Sequence, residues 1–205
     1  MTSIACPVDL DTGGLRGAVL DTYTPVALEP GGDFHFNRGP RYAASQLGYD
    51  PEELAALPEL CTEPFAGVGN PLAIAPLEPG ETVLDVGSGA GMDLLLAARQ
   101  VGPGGRAIGV DMTEAMIARC RRAALQAGLG NVEVRRGDVH ALPVGDGAAD
   151  VVISNGVLNL AHDKRAAFAE LFRALRPGGR LQLADIAVES PLSDGIRSDF
   201  ELWAA

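Results

Sequence analysis

The chain has 205 residues, which suits one α/β domain with an appendage, and its 47% hydrophobic content is enough for a proper core. A formal net charge of −11 repels phosphate backbones and anionic lipid, so neither nucleic acid nor a membrane surface is expected as a partner. Cys6, Cys61 and Cys120 lie far apart without CxxC spacing, which argues against a disulfide framework or a metal site.

Met1 begins a stretch with no basic start leading into an apolar run, and no run approaches the roughly 20 residues of a membrane helix, so a cytoplasmic protein is expected. Residues 1–75 read as an irregular N-terminal segment, a lid on the acceptor side, rich in Gly and Pro. It holds one short helical signal, "DPEELAAL", with Asp50 as cap and Pro51 at the first helical position. Residues 76–205 form the second unit, and from Glu81 onward short apolar runs alternate with longer helical patterns. "TVLDVG" precedes "GMDLLLAARQVG", and "AIGVDM" precedes "TEAMIARCRRAALQAG"; "VEVRRGD" and "DVVISNG" follow, then "DKRAAFAELFRALRPGG" and "RLQLADIAV". That alternation specifies a doubly wound, mostly parallel sheet of Rossmann-like type wrapped by helices. Thr113 is placed to cap the second helix of this unit, and Pro177-Gly178-Gly179 to stop the third. The arginines 119, 121, 122, 135 and 136 read as solvated helix and strand edges.

In such a sheet, ligands sit beyond the carboxyl ends of the strands. There "ETVLDVGSGAGMD" places Gly87, Gly89 and Gly91 after the first strand, with Asp85 leading and Asp93 following. A dinucleotide fingerprint would put its third glycine at Met92, and no Gly-Lys-Ser/Thr follows for a phosphate loop. A carboxylate at the start of the turn suits a ligand ammonium better than a pyrophosphate. Asp111, ending "GVD", is placed to accept from both hydroxyls of a ribose, and Asp138, in "RRGDV", from an adenine amino group. The same acids also admit plainer readings, Asp85 and Asp93 as helix caps and Met112 as core.

On these residues the stretch from Glu81 to about Val188 resembles a class I S-adenosylmethionine-dependent methyltransferase. The resemblance implies S-adenosylmethionine as cofactor. It implies that Asp85, Gly87, Ser88, Gly89 and Gly91 hold the methionine part and ribose, that Asp111 binds the ribose and that Met112 stacks on adenine. Gly137, Asp138 and Val139 would meet the adenine edge, and Asn155 and Gly156 would face the transferable methyl. "VLDVGSGAGMDLLLAARQVGP", "GVDMTEAMI", "DVVISNGVLNLAHDK" and "ALRPGGRLQLADI" are similar to the arsenite methyltransferase subfamily, as is "GVGNPLAIAPLEPGETVLD" upstream. That subfamily binds trivalent arsenic through thiolates, soft ligands for a soft ion. Two of its cysteine positions hold Val68 and Gly156 here.

The expected reaction is therefore methyl transfer to a small organic acceptor, in secondary metabolism, with arsenite methylation and a non-catalytic or complementing subunit as the alternatives. "GGDFHFNRGPRY" supplies His35 and Tyr42 as candidate acceptor contacts, with a packed aromatic clip as the competing reading. His162 is a helix-entry residue or a site base, and His140 lines a loop. The sheet implied by the resemblance continues with an antiparallel hairpin beside the fifth strand. The tail "ESPLSDGIRSDFELWAA" reads instead as one short helix capped by Ser193 or Asp194, with Leu202 and Trp203 lacking a surface. An edge so exposed is expected to be covered in a homo- or hetero-oligomer.

Overall fold

The computed structural model describes residues 12–187. Among these, five parallel strands form one sheet: β1 (Thr82–Val86), β2 (Arg106–Asp111), β3 (Val132–Arg136), β4 (Ala149–Asn155) and β5 (Leu175–Ala184). Their order is β3-β2-β1-β4-β5, so the chain runs outward from β1 and then returns to pair β4 with β1's other side. Strand order reverses between β1 and β4, and the crevice at that point lies over Val86, Asp111 and Asn155.

The strands are apolar along their length because both faces are covered. Leu84, Val86, Ile108, Val110 and Val152 pack on Ala167 and Leu171 of α7 (Lys164–Ala174). The alternate residues Val83, Val151 and Ile153 pack on Ala97 and Val101 of α5 (Met92–Val101), while α6 (Glu114–Gln126) adds Ile117 and Cys120 to the same side.

The N-terminal segment is more ordered than its composition suggests. It forms α1 (Thr12–Leu28), α2 (Gly39–Leu47), α3 (Pro51–Ala55) and α4 (Glu59–Thr62). The sequence of α1, with Gly13, Gly14, Gly17 and an internal Pro25, has poor intrinsic helicity, so tertiary contact decides the outcome. Val26 and Ala27 join the core cluster that holds Leu94 and Ile117. Arg119 of α6 is no solvated edge residue: its guanidinium donates to the carbonyls of Ala27 and Leu60, each at 2.9 Å, pinning α1 and α4 to the sheet domain.

Asp50 caps α3 as expected, accepting from the Glu52 N–H at 2.7 Å. Thr113 occupies the cap position of α6 but makes no side-chain capping bond. Helix α7 ends at Ala174, ahead of the Pro-Gly-Gly, and β5 begins at Leu175. Among the described residues β5 is a sheet edge and no helix is long and apolar enough to cross a membrane. The expectations for Ser193, Asp194, Leu202 and Trp203, and for a missing hairpin, lie outside the described residues.

Candidate active site

A single open cleft at the carboxyl ends of β1, β2 and β4 is lined by the glycine turn, Asp85, Asp93, Asp111, Met112, Asp138, Asn155 and His162, and α1 lies along it with Leu15, Arg16 and Tyr23. The turn owes its path to close packing. Gly87 has φ +73°, and a Cβ there would lie 2.2 Å from Val157 Cγ2, so only glycine lets the turn press against the loop after β4. The N–H groups of Gly87 and Ser88 both donate to the Val110 carbonyl, at 2.8 and 3.0 Å, seating the turn on β2.

Asp111 organises the next part. Its Oδ2 accepts from the Gly89 N–H and its Oδ1 from the Thr113 N–H, each at 2.8 Å. A carboxylate offers about four acceptor sites and Asp111 lines the cleft, so it can also accept from a ligand. Burial raises its pKa despite those donors. Asp85 is different: it is 2% exposed, its Oδ2 has no hydrogen-bond partner, and the Ser88 hydroxyl in the same turn has none either. Burial, followed by the charges of Asp93 and Asp111, pushes Asp85 well above the usual carboxylate range. A buried orphan carboxyl next to two more acids calls for a cation or a donor that the protein itself does not provide.

Asp138 shows the opposite condition. Its Oδ1 accepts from the His140 N–H at 3.0 Å and pairs with His140 Nδ1 at 2.7 Å, while Arg16 of α1 stands 3.5 Å from Oδ2. Burial opposes its ionisation, but these donors hold it below the usual range. The His140 ring lies against His162 with centroids 3.9 Å apart, and burial, then His140, lowers the His162 pKa.

Asn155 lines the cleft, but its amide is engaged within the protein. Its Oδ1 accepts from the N–H groups of Val68 and Gly69, at 2.8 and 3.1 Å, and its Nδ2 donates to the Gly69 carbonyl at 2.8 Å and to Asp93 Oδ2 at 3.0 Å. Asp93 is not a helix cap: its Oδ1 accepts from the Tyr49 hydroxyl at 2.6 Å. Burial pushes Asp93 up to about 6 against the pull of those two donors. Positions 68 and 156 meet in space, since a Cβ on Gly156 would lie 3.4 Å from Val68 Cγ1.

Of the residues singled out in the sequence, Asp85, Gly87, Ser88, Gly89, Gly91, Asp111, Met112, Gly137, Asp138, Val139, Asn155, Gly156 and His162 all converge on this cleft. His35 and Tyr42 are not brought to it. Phe34 and Phe36 stack at 5.8 Å, with Phe36 against Tyr23 and the Arg38 guanidinium 4.3 Å over Phe34, and this clip leaves His35 exposed at a separate shallow cleft with Asp21 and Asp33. Tyr42 is partly buried on α2. The clip reaches the main cleft only through Tyr23. Sequence reasoning missed Arg16, Tyr23 and Tyr49, which come from helices or turns with no local signal. For Asp93 there was one: it is the single acid in a first helical turn that is otherwise buried and apolar.

These features fit S-adenosylmethionine. The orphaned Asp85 and Ser88 match an ammonium and a donor or acceptor of the methionine part, Asp111 retains acceptor capacity for a ribose, and Met112 stands beside it for an adenine face. Residues 77–205 match the family described as a methyltransferase domain. Over 156 residues, 76% of this chain and 40% of the other, the chain is 46% identical to an arsenite methyltransferase of Halobacterium salinarum. Over 105 residues, 51% of this chain and 38% of the other, it is 42% identical to the nocamycin O-methyltransferase of Saccharothrix syringae. The structure resembles the arsenic(III) S-adenosylmethionine methyltransferase of Chlamydomonas reinhardtii with a TM-score of 0.58 and 35% identity, covering 65% of this chain and 47% of that one. The chain thus spans about two fifths of the length of the curated relatives it matches.

Proposed function

This chain belongs to the class I S-adenosylmethionine-dependent methyltransferases, near the arsenite methyltransferase-like group, and from that premise we propose that it methylates a small organic acceptor and not arsenite. The observation that carries the proposal is the cleft itself: an unpartnered buried Asp85, Asp111 and Gly156 all line one space, and Gly156 packs on Val68 beside it. S-adenosylmethionine, when bound, supplies an electrophilic methyl on a sulfonium. The protein's part is placement. Asp85 and Ser88 hold the amino-acid end, Asp111 holds the ribose and fixes the Gly89 N–H, and Asp138 meets the adenine edge in competition with Arg16. Methyl transfer is an in-line displacement, so alignment of this kind can supply much of the acceleration. His162, kept neutral at pH 7 by burial and by His140, is the proton acceptor in the cleft for an acceptor that carries an ionisable hydrogen.

Val68 and Gly156, packed on each other beside the cleft, offer no thiolate for a soft ion. The relative named for O-methylation of nocamycin supports an organic acceptor and a role in secondary metabolism. Arsenite methylation is the second reading, favoured by the names of the other relatives. The test is production of S-adenosylhomocysteine from S-adenosylmethionine with a panel of phenols, carboxylates and amines, beside arsenite with a thiol reductant. Turnover on an organic acceptor with no methylarsenic product is expected. Methylarsenic as the main product would overturn the acceptor assignment.

A further inference from the structure

Asn155 joins two pieces of chain that are remote in sequence. Its amide oxygen receives two N–H donors from Val68 and Gly69, and its amide nitrogen returns a bond to the Gly69 carbonyl, so residues 68 and 69 are held across the end of β4 much as a paired strand would be. The fit is close on both sides. A Cβ on Gly67 would lie 2.4 Å from Asn155 Nδ2, and one on Gly69 would lie 2.7 Å from the Ala184 Cβ of β5. No side chain can enter at 67 without displacing the amide that holds the segment.

The orientation of that amide is fixed jointly by Asp93, the Gly69 carbonyl and the two N–H donors. Rotating Asn155 by half a turn would set its oxygen against the Asp93 carboxylate and the Gly69 carbonyl, and would leave two N–H groups facing an NH2. Asp93 is in turn fixed by Tyr49, whose hydroxyl lies 2.6 Å from Asp93 Oδ1 and 3.1 Å from the Gly69 carbonyl. Tyr49 is buried, and packs edge-on against Phe65. The network is complete with Asp93 in either state. With Asp93 ionised, Tyr49 donates to it; with Asp93 protonated, the carboxyl donates to Tyr49 and Tyr49 donates to Gly69. A second acid, Asp85 of β1, lies across the glycine turn and interacts with this carboxyl.

We infer that Tyr49, Asp93 and Asn155 form a clamp that fixes the Gly67–Gly69 segment and so sets where Val68 stands against Gly156, with Tyr49 and Asp93 as positioning residues. The clamp rests on geometry alone; that the wall it positions faces a methyl acceptor rests on the proposed function.

Backbone amide hydrogen exchange of the full chain, without ligand, tests it. Tyr49→Phe and Asp93→Ala are each expected to lower the protection of the Val68 and Gly69 amides about tenfold or more, since a hydrogen bond to a charged group is removed. Protection in β1 and β4 should stay within about twofold, which separates loss of the clamp from loss of the fold. Asp93→Asn is the conservative variant: its carbonyl still accepts from Asn155, its NH2 donates to Tyr49, and Tyr49 turns to Gly69. It should keep protection within about threefold of the parent, a rescue that mere space-filling at position 93 does not require. Unchanged protection at 68 and 69 in Tyr49→Phe and Asp93→Ala would overturn the clamp, and so would an Asp93→Asn variant as exposed as Asp93→Ala. Titration of the parent chain with S-adenosylhomocysteine is run alongside. Failure to bind would remove the proposed function while leaving the exchange result to decide the clamp.

Discussion

Asp85 and Asp93 flank the same glycine turn and are both buried, yet one has a carboxylate oxygen with no partner while the other is bonded at both oxygens. Asp85 lies near the end of β1, one turn ahead of Ser88, whose hydroxyl is also unpartnered; Asp93 sits in the first turn of α5 between Tyr49 and Asn155. The contrast separates two uses of an acid in one cleft. A carboxyl whose bonds close within the protein fixes geometry. One left open in the interior costs stability, and is tolerated where a ligand completes it.

The largest expected effect lies beside this pair. Asp111→Ala removes a ribose acceptor and also frees the Gly89 N–H, so S-adenosylhomocysteine affinity should fall by about 1.5–3 kcal/mol, roughly tenfold to a hundredfold, in titration calorimetry. Unchanged affinity would remove Asp111 from the site.

Next comes the pH dependence of Asp85. Its pKa in the free protein is raised, and a bound ammonium would lower it again, so binding should release a proton, and affinity should rise with pH until Asp85 is ionised without ligand. Titrations in buffers of different ionisation enthalpy measure that proton directly. Uptake of a proton, or none, would show that Asp85 does not meet a cation.

A smaller effect concerns stability without ligand. The folded-state pKa of Asp93 is about 6, above the unfolded value near 3.9. The sign is therefore that of a raised carboxyl: its contribution is full below about pH 4 and is lost as pH rises through about 6. Asp85 acts in the same direction. Asp85→Asn should thus raise the melting temperature at pH 7, at roughly 2–4 °C per kcal/mol for a chain of this size. Thermal denaturation at pH 4 and pH 7 checks both the gain and its shrinkage in acid. The smallest effect is expected at Asp138, already bonded to His140 and paired with Arg16: Asp138→Asn should change S-adenosylhomocysteine affinity only a few-fold in the same calorimeter.

The strand-end side of the cleft was legible because its residues lie at or just beyond strand ends, where period and spacing fix their place. Asp85 and Asp111 sit at the ends of apolar strands, Asp138 follows β3, and the sheet topology brings the three together. The contacts made by the N-terminal segment were not. Tyr49 meets Asp93 across 44 residues, and Asn155 meets Val68 across 87, contacts that no local pattern encodes. Helix α1 was read as irregular because its glycines and Pro25 hide a helix that packing on α6 stabilises. His35 drew attention through its aromatic neighbours, but it is those neighbours, Phe34 and Phe36, that pack, leaving the imidazole outside.

One comparison tests the central claim most directly: S-adenosylhomocysteine titrated into the parent chain, Asp85→Asn and Asp93→Asn under one condition at pH 7. An Asp85 that awaits the ligand and an Asp93 that closes on the protein predict binding by the parent. They predict at least about a tenfold loss in Asp85→Asn, and affinity within about threefold of the parent in Asp93→Asn. Equal losses in the two variants, or no binding by the parent chain, would contradict the account.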